Sequence, residues 1–408
     1  MAARSTFRTA TRLTGRRVLL WSLLGRLPNA MCPIGALLLV SRETGSVWQG
    51  SAVTGALATA QAVGGPLVGR LADRRGQRRI GLAAAAVNAT AILALVAAST
   101  AGAALAVQIG FAVLIGASVP LVGPLSRSRW VRLADGDRAA TAAALWLDGT
   151  VDEISFTAGP ALIGLLAGLA GPAWGLLLAA ALVGVCGTLF ARHPTASPPG
   201  GPRQRSAERL LNPAYGLLLA GMALLGICFG SVQVGVTAVT EAYGRPGAAG
   251  LVYGLLGGTS AVAGLATAAL PARWDLPLRL RWATVLLLAA SLLLPAVGGV
   301  GALAAAVGCL GLAVAPQMIT MFGLAERSVP GERLGEAMAA LVSSITLAQS
   351  AGTLAAGWAA QRYGPTAPFT VTCGSAAAAL LLALCTATDR TYRRRPRPAE
   401  APVPAAVG

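Results

Sequence analysis

The stretch GRLADRRGQRR, from Gly69 to Arg79, separates two long apolar runs in a chain that otherwise carries little charge. Five arginines and one aspartate stand in these eleven residues. The whole chain has 408 residues, of which 55% are hydrophobic and only 12% are charged. Since a soluble globular domain carries about 25% charged residues, this composition predicts an integral membrane protein.

Twelve apolar runs lie along the chain, two before this stretch and ten after it. A helix needs about 20 apolar residues to cross a hydrocarbon core roughly 30 Å thick. The runs are continuous and do not alternate apolar with polar residues, which favours helices over barrel strands. We therefore predict an all-α membrane protein with twelve transmembrane helices. The predicted spans are 18–41, 48–69, 80–98, 102–125, 140–169, 172–191, 214–240, 248–270, 282–298, 300–324, 336–360 and 367–387.

The arginines indicate how these helices are oriented. If the N-terminus is cytoplasmic, only Arg42, Arg245 and Arg362 lie on outer loops, Arg26 lies within a span, and every other arginine lies inside. This distribution follows the positive-inside rule. We expect both termini on the cytoplasmic side of a multi-pass protein of the inner (plasma) membrane. All the basic residues are arginines, and with so much alanine and glycine this is typical of a GC-rich bacterial genome.

A polar break between the sixth and seventh spans divides the chain into two halves. Its Pro, Gly, Ser and Arg content is typical of an exposed linker. The predicted domains are an N-terminal cytoplasmic segment, a six-helix bundle, the linker, a second six-helix bundle and a basic cytoplasmic tail. Their bounds are 1–17, 18–191, 192–213, 214–388 and 389–408.

The two halves also resemble each other in sequence. A spacing of 195 residues relates Gly136 and Arg138 to Gly331 and Arg333, and one of 199 relates Val63 to Val262. Two pseudo-symmetric six-helix bundles are the architecture of secondary transporters, which bind substrate near the midplane between the halves.

Other functional classes lack their characteristic residues. Nucleic-acid binding is not expected, because the arginines lie between apolar runs and aromatic residues make up only 5% of the chain. The six cysteines are scattered singly and the single histidine, His193, stands at a loop edge, so we predict no metal site and no cofactor. An enzyme is likewise not expected. The predicted partners are a small-molecule substrate, protons and the lipid bilayer, and we expect a monomer.

The opening stretch also resembles the signature of the major facilitator superfamily between the second and third helices. The positions that match are Gly69, Asp73, Arg74, Gly76 and Arg78, while Gln77 departs from the arginine of the pattern. The resemblance implies a cytoplasmic gate. There Asp73 contacts the N-terminal end of helix 11, near GERLGEAM, and latches the outward-open state.

A second family signal lies in the fifth span. Exporters of this family carry a Gly-Pro-x-x-Gly-Gly core, which Gly159, Pro160 and Gly164 match in part, with Ile163 in place of one glycine. We expect these glycines to allow close helix packing. The fourth-span arginine of many drug/proton antiporters is absent from QIGFAVLIGASVP, which weakens the case for a standard multidrug proton relay.

Charged residues inside spans are functional candidates, because burying them in a bilayer is costly. The chain offers Arg26 as the only arginine inside a predicted span, together with Asp148, Asp152 and Glu153 in the fifth span. Asp148 and Asp152 are four residues apart and share one helix face. We predict that Arg26 pairs with one or more of these carboxylates and that protonation weakens the pair during transport. Two alternatives are a static salt bridge and an Asp148 hydrated in the cytoplasmic vestibule.

Uncharged polar residues in the spans are candidates for substrate binding, with plain interhelical hydrogen bonds as the alternative. These candidates are Asn29, Gln61, Gln233, Gln317 and Gln349. The leading functional hypothesis is proton-coupled efflux of a small amphipathic compound. The alternatives are an importer of a sugar or other small metabolite on the same fold and a non-transporting membrane sensor.

Overall fold

In the computed structural model, the residues described are 15–134, 137–198, 212–267, 274–329 and 334–386. They form fourteen α-helices and no strand. The first half contains α1 (Arg16–Thr44), α2 (Val47–Arg75), α3 (Gln77–Thr100), α4 (Leu105–Ala117), α5 (Val122–Leu133), α6 (Arg138–Leu169), α7 (Pro172–Leu182) and α8 (Thr188–Arg192). The second half contains α9 (Pro213–Ala242), α10 (Ala248–Thr267), α11 (Leu276–Ser291), α12 (Val300–Ser328), α13 (Leu334–Tyr363) and α14 (Pro368–Thr386).

Polar capping residues mark where several helices begin. The side chain of Asn212 accepts a hydrogen bond from the backbone N–H of Tyr215 at 2.8 Å and caps α9. Asp275 caps α11 in the same way. Each cap satisfies a backbone donor that has no partner within its helix. The linker and loop residues before these helices therefore define the helix starts as much as the apolar runs do.

Two of the predicted spans are interrupted helices. The fourth contains α4 and α5, separated by a short break that includes Pro120, and α5 continues past the predicted end at 125 to Leu133. A proline lacks the N–H that a continuous helix needs, which accounts for a break at this point. In the sixth span, a π-helical turn over Val183–Gly187 joins α7 to α8.

Eight segments of the described chain are long and apolar enough to cross a membrane. These segments are Arg16–Thr44, Gln77–Thr100, Leu105–Leu133, Pro172–Arg192, Pro213–Ala242, Ala248–Thr267, Leu276–Ala296 and Val300–Ser328. The all-helical membrane architecture is therefore confirmed. The count of twelve stays a prediction, because it also requires α2, α6, α13 and α14 to span the bilayer.

Helix packing follows the same pattern in both halves. In the first half, α1 packs on α6 and α2 packs on α4. In the second half, the corresponding pairs are α9 on α13 and α10 on α12. Between the halves, α2 packs on α13 and α6 packs on α10. Each of these contacts joins the second predicted span of one half to the fifth predicted span of the other. This arrangement is the pseudo-symmetry that the repeat predicts.

The described contacts between the halves include close approaches at the start of α2 and the end of α13. A Cβ atom built on Gly55 would lie 2.9 Å from Cγ of Leu354, and one built on Gly357 would lie 2.5 Å from Oγ of Ser51. Further along the same helix, Val63 of α2 is 60% exposed, as is its repeat partner Val262 of α10 at 64%. Large apolar side chains are therefore exposed beyond these contacts in both halves.

Candidate transport site

A network of two arginines and two aspartates joins α1, α5 and α6. Arg26 donates to Oδ1 of Asp148 and, at 2.8 Å, to Oδ1 of Asp152. Arg127 donates from Nε to Oδ2 of Asp148 at 3.0 Å and from Nη2 to Oδ2 of Asp152. Each arginine therefore contacts both carboxylates, and the four charges balance.

The two aspartates of this network have different surroundings. The Asp148 side chain is 2% exposed and also accepts a hydrogen bond from the indole N–H of Trp130 at 3.0 Å. The Asp152 side chain is 24% exposed. Its described partners are the two guanidinium groups alone. Because Asp148 is buried and has the additional donor Trp130, we assign it as the structural member of the pair and Asp152 as the accessible one.

The helices bring these residues together for identifiable reasons. Asp148 and Asp152 are one helical turn apart on α6, which places both on the side that faces α1 and α5. Gly123 of α5 lies against the network, since a Cβ atom there would be in van der Waals contact with Oδ1 of Asp152 at 3.4 Å. Arg26 also donates to the backbone carbonyl of Asp148 at 3.0 Å, so it fixes the α6 backbone as well as its side chains.

Arg127 was missed in the sequence because the fourth span was ended at 125. The segment Leu105–Leu133 extends past 125 and carries Arg127 and Arg129, so Arg26 is not the only arginine that reaches these carboxylates. The side chain of Arg127 is 47% exposed, whereas that of Arg129 is fully buried. The signal is the pattern SRSRW directly after the apolar run, in which Ser126, Arg129 and Trp130 are buried while Arg127 and Ser128 are exposed. Glu153 belongs to α6, and its side chain lies outside the described residues.

Four of the five polar candidates form two amide pairs, one in each half. Gln61 of α2 donates to the side-chain oxygen of Asn29 of α1 at 2.9 Å. Gln349 of α13 lies 3.5 Å from the side-chain oxygen of Gln233 of α9. Asn29, Gln61 and Gln349 are partly exposed. Gln233 is 1% exposed, and its amide nitrogen has no hydrogen-bond partner. The first half therefore presents amide groups from α1 and α2, whereas the second half presents one from α13.

Gln317 does not join either pair. Its side chain is fully buried in α12, and neither its oxygen nor its nitrogen has a hydrogen-bond partner. A buried amide without partners costs free energy and has no access to a solute in this conformation. Gln317 is therefore separated from the candidate binding residues that the sequence grouped it with.

The glycines of the fifth span lie at two helix crossings. A Cβ atom on Gly159 would lie 2.8 Å from the Cβ of Ala30, so this glycine packs α6 on α1. A Cβ atom on Gly164 would lie 2.8 Å from the Cα of Gly250. One on Gly250 would clash with the carbonyl oxygen of Pro160. The backbones of α6 and α10 thus touch directly, which only small residues permit.

The motif between α2 and α3 forms the tight turn expected of it. Gly76 has φ +90°, a conformation that residues with a Cβ atom rarely adopt. Asp73, Arg74 and Arg78 are exposed around it. Gly69 is not required by close packing in this conformation, since a Cβ atom there would lie 3.7 Å from Leu121. Residues 330–333, which precede α13, lie outside the described residues, so the contact of Asp73 with the start of the eleventh span remains a prediction.

The single histidine and the cysteines lie apart from the charge network. Burial, followed by the charge of Arg129, lowers the pKa of His193, which therefore stays neutral at pH 7. Its Nδ1 lies 2.9 Å from Oγ1 of Thr195. Among the described residues, no group of three His, Cys, Asp or Glu side chains is arranged to hold a metal ion.

A comparison with family models identifies the chain. The model of the Major Facilitator Superfamily matches residues 18–307 and 279–407, which together cover nearly the whole sequence. The chain belongs to the Major Facilitator Superfamily. This result confirms the resemblance first seen in the loop between α2 and α3. No curated protein sequence matches the chain.

Solved structures of other transporters share the fold of this superfamily member. The nucleoside transporter NupG is 14% identical, with a TM-score of 0.69 over 93% of this chain and 99% of its own. The human organic anion transporter MFSD10 (TETRAN) is 19% identical, with a TM-score of 0.60 over 91% and 99%. A POT family transporter in complex with 5-aminolevulinic acid is 13% identical, with a TM-score of 0.67 over 90% and 94%. At these identities the likeness shows the fold alone.

Membership in the Major Facilitator Superfamily makes the chain a multi-pass membrane transporter of a small molecule. The family and its fold point to transport rather than to catalysis. The charge network and the amide pairs are among the polar groups that this superfamily member places between its described helices.

Proposed function

We propose that this protein is a twelve-span secondary transporter that moves a small amphipathic compound by alternating access and couples this movement to protons. The observation that carries the proposal is the charge network of α1, α5 and α6, in which one carboxylate is buried and the other is accessible. Charged groups are retained among membrane helices at high cost, which favours a role in transport.

The distribution of arginines supports a cytoplasmic position for both termini and for the loop between α2 and α3. On this orientation, the contacts of Gly55 with Leu354 and of Gly164 with Gly250 lie near the outer face. We infer that the halves are closed on the outside and open toward the cytoplasm. Rocking about these contacts would expose the same site to the other side.

Asp152 is the proposed proton acceptor. The groups that face it are Arg26 from α1 and Arg127 from α5, with Asp148 one turn away on its own helix. Glu153 follows it in α6 and is kept as a second candidate. A proton on Asp152 would remove one negative charge from a balanced set of four and release Arg127, whose side chain is already half exposed. Asp148 would retain Arg26 and Trp130 and hold the helices together.

The two amide pairs are the proposed substrate contacts. Asn29 and Gln61 from one half and Gln349 from the other are partly exposed and offer both donors and acceptors, while the buried Gln233 supports Gln349. A mostly apolar wall with a few fixed polar groups suits a small amphipathic compound.

The direction of transport is proposed as efflux, on the partial Gly159-Pro160 signal of exporters. Import of a small metabolite on the same fold is the alternative, and the names of the similar transporters, which include a nucleoside transporter, are compatible with it. Accumulation in a host without its own pumps separates the two. An exporter lowers the intracellular level of its substrate and an importer raises it. A non-transporting sensor would change neither level.

The experiment that tests the proposal begins with the purified protein. Its thermal unfolding is measured against a panel of neutral, cationic and anionic small compounds at pH 6 and pH 8. A compound that raises the unfolding temperature is then used in proteoliposomes with and without a proton gradient. Gradient-driven movement that Asp152→Asn abolishes supports proton coupling through Asp152. Movement that is independent of the gradient would leave a facilitator without proton coupling.

A further inference from the structure

Arg129 is a fully buried arginine at the cytoplasmic end of α5. Its Nε donates to the side-chain oxygen of Gln77 at 2.6 Å, and its Nη1 donates to the carbonyl of Phe190 at 2.8 Å. Its guanidinium also lies 3.7 Å from the centre of the Phe190 ring. A carbonyl in the last turn of α8 and an aromatic face both attract a cation. No carboxylate is among these described partners of Arg129.

Gln77 is the side-chain acceptor in the contact with Arg129. It is 1% exposed and follows Gly76, the turn of the motif between α2 and α3. Its amide nitrogen donates to Oγ of Ser128 at 2.8 Å. Its backbone N–H donates at 3.1 Å to the carbonyl of Ser197, which lies in the first part of the central linker. One residue thus connects the motif loop with α5 and the start of the linker.

Gln77 is also the one position at which this chain departs from its family's motif. An arginine at position 77 would place a second guanidinium against that of Arg129 in a buried site. Two positive charges at so short a distance repel each other, and without a carboxylate between them this repulsion destabilises the folded arrangement. A glutamine instead supplies an acceptor for Arg129 and a donor for Ser128.

The position of Arg129 in α5 gives this contact a mechanical consequence. Arg127 and Arg129 are two residues apart, so they project to nearly opposite sides of the helix. One enters the network with Asp148 and Asp152, and the other contacts Gln77. A displacement of α5 that follows changes in the network would therefore move the turn at Gly76 and the end of α2, which carries Asp73.

We propose that Gln77 is a positioning residue that links the motif loop to α5 through Arg129, and that Arg129 replaces the motif's missing arginine. The link between the charge network and the gate rests on the proton coupling proposed above. The pairing of Gln77 with Arg129 does not depend on that coupling. Gln77 and Arg129 act on transport by holding the loop in register with α5, and they do not contact the substrate.

An exchange of the two residues tests the pairing. Gln77→Arg and Arg129→Gln are made singly and together in the full-length protein. Arg79→Gln, which removes an exposed arginine from the same first turn of α3, is the control. Thermal unfolding and substrate transport are measured for each. We expect each single variant to lower the unfolding temperature by about 5 °C or more and the double variant to recover most of the loss. The control is expected to stay near wild type.

A third measurement separates positioning from structure alone. The pH at which transport is half-maximal is compared between wild type and Arg129→Lys, which keeps the charge and loses the planar fork. We expect this midpoint to shift in Arg129→Lys and to return to the wild-type value in the double exchange. An unchanged unfolding temperature and transport rate in Gln77→Arg, or a double variant no better than the worse single one, would overturn the pairing. An unchanged midpoint would overturn the link to the gate.

The results for the Gln77 and Arg129 variants can be distinguished from a failure of proton coupling itself. If transport shows no pH dependence even in wild type, the proposed function loses its coupling step. The recovery of stability and rate in the double exchange still decides whether Gln77 and Arg129 form a functional pair.

Discussion

Nε of Arg127 lies 3.0 Å from Oδ2 of Asp148, and this contact joins α5 to α6 across a chain separation of 21 residues. Asp148 receives donors from Arg26 of α1 and from Trp130 of α5 as well. The buried carboxylate is therefore the centre at which three helices of the first half meet. Its neighbour Asp152 shares both arginines but keeps access to solvent, so the two aspartates are expected to respond differently to mutation.

Asp152→Asn is expected to remove the pH dependence of transport and to lower the rate on the order of tenfold, which corresponds to about 1.4 kcal/mol. An amide at this position cannot exchange a proton, and it leaves Arg127 without one of its two carboxylates. Transport measured in proteoliposomes between pH 5.5 and 8.5 checks this. A retained pH profile in Asp152→Asn would move the coupling role to another group, with Glu153→Gln as the next variant.

Asp148→Asn is expected to act mainly on folding. Removing one member of a buried ion pair costs about 3–5 kcal/mol, because the opposite charge is left buried without compensation. We expect little folded protein by size-exclusion chromatography in detergent. Trp130→Phe, which removes one donor and keeps an aromatic ring, is the milder companion variant. If Asp148→Asn folds normally and Asp152→Asn does not, the assignment of buried and accessible roles is wrong.

Much of the fold was predictable because membrane helices leave a strong signal in composition and length. The apolar runs, the polar linker and the motif around Gly76 were sufficient to predict an all-helical membrane protein and its family. Pseudo-symmetric packing followed from a few repeat positions such as Val63 and Val262. The number of helices that cross the membrane stays a prediction, because it depends on whether α2, α6, α13 and α14 span the bilayer.

The site was less predictable, because hydropathy locates apolar segments and does not locate the ends of helices. The chain of α5 becomes polar after Leu125, yet the helix continues because Trp130 and the stem of Arg129 are buried on one side. Arginine stems are apolar and let a helix extend beyond its apolar run. Arg127 therefore enters the network although it stands beyond the end of the apolar run. Likewise, only tertiary packing separates the buried Gln317 from the paired Gln349.

Asp73→Asn is expected to lower transport while expression and thermal unfolding stay near wild type. Asp73 is exposed near the end of α2, so its charge contributes little to the packing of the first half. The family resemblance gives the aspartate a role at the cytoplasmic gate, where a helix N-terminus favours a negative charge. Rate and unfolding temperature are measured together. A normal transport rate in Asp73→Asn would remove the latch from the mechanism.

Gly250→Leu is expected to prevent the crossing of α6 and α10, because even a Cβ atom at this position would clash with the carbonyl oxygen of Pro160. The protein should then shift away from the conformation that is closed on the outside. Labelling of a cysteine placed near the outer end of α10, in a background from which the native cysteines have been removed, reports this shift. Gly110→Ala is the matched control, since a Cβ atom there would have no neighbour within 4 Å. Equal labelling in both variants would contradict the crossing as a gate.

Gln61→Ala and Gln349→Ala are each expected to raise the KM for the transported compound several-fold, because each removes one member of an amide pair from a different half. A lost hydrogen bond of about 1 kcal/mol corresponds to roughly a fivefold change. Gln317→Met is the control, since Gln317 is a fully buried amide whose side-chain atoms have no partner. Replacing that side chain by an apolar one of similar size is expected to keep KM and to preserve or raise the unfolding temperature. A raised KM in Gln317→Met, with Gln61→Ala unchanged, would place the substrate in the second half beside α12 instead of between the halves.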